Sequence, residues 1–303
     1  MYHFLRKPAT LAGQAMVLLL VLAVLQPTAA AADIPPSWSI VTDDFENGLS
    51  DEWRTISPSD LSLVAGGGNN GSTGLAVSVG QHQSYIYQRD VARAEEGYLT
   101  FWFDPNSVSI PDEGTSWIPS KSIRIGAIMG SEAWGVLVGL RVRRPQGDGY
   151  RAYLEWDAQD GKQYDLGDGE FALSDGWQKI TLGFSVDDWV SVWLNDIQVR
   201  EITGVSHSED LGELFQIGKA SSNSVMTPSG ILRFDDVAFQ VPKIADLWVD
   251  AVDGDDSSDG LTANTALRTI QAAATFARPG TTVRILPGVY RETVWPFMGG
   301  GAG

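Results

Sequence analysis

Gln178-Lys-Ile-Thr-Leu-Gly-Phe184, Val190-Ser-Val-Trp-Leu194 and Ile197-Gln-Val-Arg-Glu-Ile202 decide the fold of this chain. Each run is short, β-branched or aromatic, and bounded by Gly, Asp or Asn, so each predicts a strand. Asn195-Asp196 separates the second from the third. Both residues tolerate positive φ, as a two-residue hairpin turn requires.

The same pattern extends to both sides. Leu61–Ala65, Leu75–Val79, Ser84–Gln88, Tyr98–Phe103, Ile123–Met129 and Val136–Val142 precede the quoted stretch, with Arg151–Trp156 closer to it. Leu214–Ile217 and Ile231–Phe239 follow. About a dozen strands in about 200 residues with no long helix predict a two-sheet sandwich or jelly roll. Runs such as Leu99-Thr-Phe-Trp-Phe103 carry large residues on both faces, so their sheets are covered or liganded on the side away from the core.

The formal charge is −17, with no cysteine. Residues 1–32 contain Arg6 and Lys7 and no acids, so their removal leaves −17 − 2 = −19. That balance argues against a phosphate-backbone partner and suits divalent cations. Without thiols there is no disulfide framework. Met1–Ala32 has basic Arg6-Lys7, an apolar Ala15–Leu25 and small Ala29–Ala32, the parts of a secretory signal cleaved after Ala31 or Ala32. The apolar core is too short to span a membrane comfortably. The expected product is an exported bacterial protein, secreted or at the cell surface, with no membrane insertion after cleavage.

Beyond the strand procession, Leu247–Val249 predicts a strand and Asp253–Gly260 a solvated loop. Leu267, Ile270, Ala274 and Ala277 form one helical stripe over Thr265–Ala277. Strands are expected at Val283–Leu286 and Val289–Val294, around the Pro287-Gly288 turn. So few elements bury little core alone and leave strand edges wanting partners.

This segment, Trp248 to Val294, resembles the opening of right-handed parallel β-helix proteins of the pectin-lyase-like superfamily. The resemblance implies a capping helix and a first coil, PG-x-Y-x-E, with further coils beyond Gly303. Asp43-Asp-Phe-Glu-Asn-Gly-Leu-Ser-Asp-Glu-Trp53 and Leu232-Arg-Phe-Asp-Asp-Val-Ala-Phe239 resemble the bracket of jelly-roll carbohydrate-binding modules. Asp175-Gly-Trp-Gln-Lys-Ile-Thr-Leu182 and Val190–Ile197 resemble laminin-G and concanavalin-A-like domains. The expected fold is all-β: a signal peptide at 1–32, a linker at 33–37, a jelly-roll sandwich at 38–243, and the truncated start of a parallel β-helix with one capping helix at 244–303.

Three candidate sites follow. Asp44, Glu46, Asp235 and Asp236 fall on what should be neighbouring first and last strands. There they would either converge on Ca²⁺ or cap turns in solvent. The resemblance to the modules implies a structural calcium held by Glu46 and an Asp of the 235–236 pair. Trp117, Trp134, Tyr150 and Trp156, with Trp193 and Tyr153, could offer flat faces for a sugar ring, although residue by residue core packing is the stronger reading, because aromatics fill sandwich interiors. Glu155-Trp-Asp157-Ala-Gln-Asp160 approaches the E-x-D-x-x-E pattern of concanavalin-A-like glucanases, but Asp160 is one carbon short and falls at a hairpin turn. No catalytic residue is assigned within the chain. Asp253–Asp259 lacks the spaced glutamate of an EF-hand loop. His82 and His207 are not metal-spaced and are expected on the surface. Arg284 and Arg291 lie too early in a solenoid for a cleft. The expected role is binding of a polysaccharide or surface glycan by the sandwich. The alternatives are a polysaccharide lyase or glycoside hydrolase with its cleft in coils beyond this chain, and a structural adhesin.

Overall fold

The structure, a computed structural model, describes residues 37–112, 118–130, 135–208, 211–221, 226–242, 244–277 and 280–296. The expected signal peptide and most of the linker lie outside them. In chain order the strands are β1 (Ser37–Asp43), β2 (Arg54–Ile56), β3 (Leu61–Val64), β4 (Gly74–Val79), β5 (Ser84–Ala94) and β6 (Glu96–Asp104). Then come β7 (Ile123–Met129), β8 (Val136–Arg143), β9 (Tyr150–Ala158), β10 (Gly161–Tyr164), β11 (Phe171–Leu173) and β12 (Gln178–Ser185). β13 (Trp189–Leu194), β14 (Ile197–Thr203), β15 (Gly212–Lys219), β16 (Gly230–Pro242), β17 (Asp246–Val249), the helix α1 (Ile270–Phe276) and β18 (Thr282–Ile285) complete the order.

Two antiparallel sheets face each other. The first runs β14-β13-β12-β6-β16-β4-β3, with β1 also on β16. The second runs β10-β9-β8-β7-β15-β5-β2, with β11 also on β9. Alternation explains the core between them. Phe101, Phe103, Phe184, Phe234 and Phe239 point inward from the first sheet and Ile123, Leu140, Leu154 and Phe215 from the second. Phe215 stacks on Phe239 across the gap, with centroids 5.3 Å apart. Asn195 and Asp196 have positive φ, as the hairpin between β13 and β14 demands.

β16 holds the corner that matters below. Its alternation slips between Phe234 and Val237, both of which enter the core. The ladder to β6 shifts register between Asp235 and Ala238, and Asp236 takes φ 46°. This is a bulge, in a conformation that Asp tolerates better than most residues. Before it β16 pairs with β4, and after it with β1. The expected adjacency of first and last strands is therefore present. Asp44 and Glu46, however, lie in the turn after β1, which ends at Asp43.

In the C-terminal segment β17 and β18 pair in parallel. Leu247, Val249, Leu267 and Ala273 form a small separate core. α1 is shorter than the stripe suggested. Thr269 caps it by accepting the Ala272 N–H, and Leu267 instead bridges to Val249. Glu292 takes the N–H groups of Ile270 and Gln271, each at 2.9 Å, so the glutamate of PG-x-Y-x-E caps this helix. The strand expected at Val289–Val294 is absent from the described residues, because Tyr290 and Glu292 are turned back onto Leu286 and α1. A parallel pair with one helix is what stands here. No helix among the described residues is long and apolar enough to cross a membrane.

Candidate functional site

The central strands of the second sheet, β7, β8 and β15, are largely buried on both faces, and the face away from the core carries ionised groups. In β7, β8 and β9 the core takes Ile123, Leu140, Val142, Ala152 and Leu154. Their alternates Arg124, Arg141, Tyr153 and Glu155 therefore share the opposite face. Arg124 lies opposite Arg141, Arg141 opposite Tyr153, and Glu155 opposite Tyr164.

Glu155 is only 2 % exposed and sits between two guanidinium groups. Arg124 Nε donates to its Oε1, and Arg141 Nη1 to its Oε2 at 3.1 Å. Burial alone would raise this carboxyl. The two arginines overcome that and hold it down at about 2. Arg141 is fixed further by Ser122 Oγ at 2.8 Å and by the Pro119 and Ser122 carbonyls. Ser122 Oγ meets Tyr153 OH at 2.7 Å. Burial pushes Tyr153 up to about 12. On β15, Lys219 is fully buried and donates to the carbonyls of Gln81, His82 and Ser221. Burial, with Arg141 nearby, lowers it to about 8.

Tyr87, Arg124 and Tyr164 are half-buried and rise from this network toward the surface. Beside them Ala127, Met129, Val136 and Leu214 form an apolar floor with Tyr87. Arg124 and Arg141 outnumber Glu155, so this network carries a net positive charge in a strongly acidic chain. Sequence reasoning weighed Glu155 and Tyr153 in other roles and passed over Tyr87, Tyr164, Arg124 and Arg141. Their signal was a lone charge inside an apolar strand, as in Ile123-Arg-Ile125 and Leu140-Arg-Val142.

Of the glucanase-like trio, Glu155 and Asp157 are held in ion pairs. A carboxyl ionised by two arginines donates no proton near neutrality. Asp157 accepts from Lys162 Nζ at 2.6 Å and from the Val136 N–H at 3.0 Å. Asp160 accepts from Gln163 Nε2 at the β9–β10 turn.

Of the expected platforms, Trp117 and Trp134 lie outside the described residues. Tyr150 is a correction: it is 1 % exposed, in the core, and donates to the Val108 carbonyl at 2.6 Å. Trp156 is half-buried against the same core. Trp193 and Tyr153 are buried as well. His207 is another correction. It is buried, its Nδ1 accepts the Asp187 N–H at 3.0 Å, and its Nε2 meets the Leu137 carbonyl.

The four expected calcium ligands come together as charges. Burial raises Asp236, as do Asp235, Asp44 and Glu46. Asp235 is fully buried and accepts from the N–H groups of Asn69 and Asp236 and from Ser72 Oγ. Glu46 accepts from the Thr73 N–H and hydroxyl. Among the described residues no three acidic or histidine side chains converge as a metal-ligand set. The cluster fits a cation by charge and donor type. Exposed Asp44 and Asp236 are its open members, while Glu46 and Asp235 are engaged by the protein.

No family model matches the chain, and no curated protein matches it. Solved structures similar to it include "Cellulose induced protein, Cip1", at 17 % identity and TM-score 0.47 over 66 % of this chain and 96 % of that one. An endo-β-1,4-glucuronan lyase from the fungus Trichoderma reesei is similar at 14 % identity and TM-score 0.47, over 69 % and 97 %. A carbohydrate esterase of a Shiga toxin-encoding bacteriophage is similar at 11 % identity and TM-score 0.45, over 69 % and 100 %.

Proposed function

We propose that the sandwich binds carbohydrate through the outward face of its second sheet, with a preference for acidic sugars. The observation that carries this is the buried Arg124–Glu155–Arg141 network beneath half-buried Tyr87 and Tyr164. A network fixed by burial pre-organises the groups above it, which lowers the cost of ordering them on a ligand. Tyrosines offer faces and hydroxyls to sugar rings. The surplus of cations favours a carboxylate on the ligand. The test is retention of the whole chain on immobilised neutral and uronate polysaccharides. Arg124→Met, which leaves Glu155 paired with Arg141, should weaken uronate retention. So should Tyr87→Ala. No retention on any polysaccharide, or retention unchanged in both variants, sinks the proposal.

Calcium at Asp44, Glu46, Asp235 and Asp236 belongs to the same reading, in a structural role. Its support is the gathering of these acids at one corner, where burial raises Asp236, and Asp235, Asp44 and Glu46 add to the effect. Residues 1–32 as an export signal, and 244–303 as the opening of a right-handed β-helix, complete it. The parallel β17–β18 pair with its capped helix supports the second of these.

A further inference from the structure

A second, oppositely charged opening lies at the edge of the sandwich, between β1 and β16 of one sheet and β5 of the other. It measures about 900 Å³ and is lined by Asp43, Asp44, Asp51, Glu52 and Asp236, with Gln88 among them. It is there because β2 is short. β2 pairs with β5 only from Tyr85 to Tyr87, and the ladder stops just before Gln88.

Gln88 is the unusual residue. It is 4 % exposed, lies opposite Phe215, and so points to the core side of β5. Its side-chain amide has no hydrogen-bond partner among the described residues. Burying an amide with neither donors nor acceptor satisfied is costly, so such groups are rarely kept without a use. This one faces the acidic opening.

The lining narrows the ligand class. No Lys or Arg pairs with these carboxylates among the described residues. Asp44 and Asp236 also belong to the proposed calcium corner, while Asp43, Asp51 and Glu52 lie around the rest of the opening, where among the described residues no metal-ligand set converges. The volume is many times that of a water-sized ion, about 30 Å³. Spread charges suit an extended ligand with several cationic groups. An ammonium group can satisfy the carboxylates and the Gln88 carbonyl oxygen. It cannot accept from the Gln88 amide hydrogens, because it has no lone pair. A hydroxyl can. Asn47 and Ser50 on the same wall likewise suit hydroxyls.

We propose that this cleft binds an oligosaccharide of amino sugars, with ammonium groups on Asp43, Asp51 and Glu52 and a hydroxyl on Gln88, beside the calcium corner and not in place of it. The site is separate from the cationic face of the second sheet and takes the opposite class of ligand.

The test is titration calorimetry of the whole chain with a glucosamine tetramer at a pH of about 6, where the amines of the ligand carry protons. The fully N-acetylated tetramer and a tetralysine peptide are the comparisons. Binding of the glucosamine tetramer at least tenfold tighter than either is expected. Gln88→Leu should keep the fold, since the amide has no protein partner, and should weaken binding about tenfold. The exposed pair Asp51→Asn/Glu52→Gln tests the charges independently of folding and should weaken binding most at low salt, the difference from the parent shrinking as salt rises. Equal binding of the acetylated tetramer overturns the proposal. So does tighter binding of tetralysine, which would make the cleft a peptide site. Absence of glucosamine-tetramer binding, or binding unchanged in both variants, overturns it as well.

Discussion

Two clusters of charge in this sandwich use the same residue types to opposite ends. On the outward face of the second sheet, Glu155 is buried between Arg124 and Arg141 and held down at about 2. At the β1–β16 corner, Asp236 is raised above the ordinary carboxylate range, and Asp235, Asp44 and Glu46 add to the effect. Burial pushes both carboxyls up. What differs is the neighbour: two cations in one case and three anions in the other. A buried charge with its counter-charge is a fixed part of the fold. A cluster of like charges is a stored demand for a cation.

The sharpest way to break this contrast is Glu155→Ala. The change leaves two guanidinium groups facing each other with their shared partner gone. Breaking a buried pair costs about 3–5 kcal/mol. Urea unfolding should report a loss of that size, with little change in slope. A loss below about 1 kcal/mol would place the network among surface ion pairs.

Acid titration is the next largest effect. Glu155 is depressed from 4.5 to about 2, so its contribution is present above 4.5 and lost as pH falls toward 2. The amount is on the order of 3 kcal/mol. His207 acts earlier. Burial lowers it, so the folded chain keeps it neutral while the unfolded chain protonates below about 6.5. Stability should therefore begin to fall below that pH, before the Glu155 phase. Thermal melts from pH 8 to pH 3 should show two steps, and His207→Gln should flatten the first. A single step near pH 4 in both proteins would contradict this assignment.

The legibility of the molecule follows the same division. Strands bounded by Gly, Asp or Asn and alternating in polarity were readable, and the runs at Ile123–Met129 and Val136–Val142 sit where the pattern placed them. β2 and β11 were not, since three residues carry too little periodicity to register. The acidic corner was visible because its residues cluster in sequence, as Asp43-Asp44 and Asp235-Asp236. The Arg124–Glu155–Arg141 network was not, because its members come from three strands and meet only through cross-strand register. His207 was misplaced for a related reason. What buries it is the Asp187 turn and the Leu137 carbonyl, neither of which is near it in sequence. Tyr150 was misplaced because an aromatic face and an aromatic core residue read alike until the partner of the hydroxyl is known.

The smallest effect tests the other half of the contrast. Asp236→Asn removes one of the crowded charges, and Asn keeps the left-handed backbone that the bulge requires. In chelator-treated protein the variant should melt slightly higher than the parent, by a few tenths of a kcal/mol, the scale of exposed charge interactions. Calcium should then separate the two proteins in the opposite direction. The parent should gain stability as calcium rises, since a ligand that binds only the native state must raise it. Asp236→Asn should gain little. If calcium stabilises both equally, the cation sits elsewhere. If it stabilises neither, the corner is a set of turn caps, and the repulsion at Asp236 is a cost the fold carries without relief. Either way the experiment measures at Asp236 what the arginines already show at Glu155, that a carboxyl in this sandwich is stabilised or strained by the charge placed next to it.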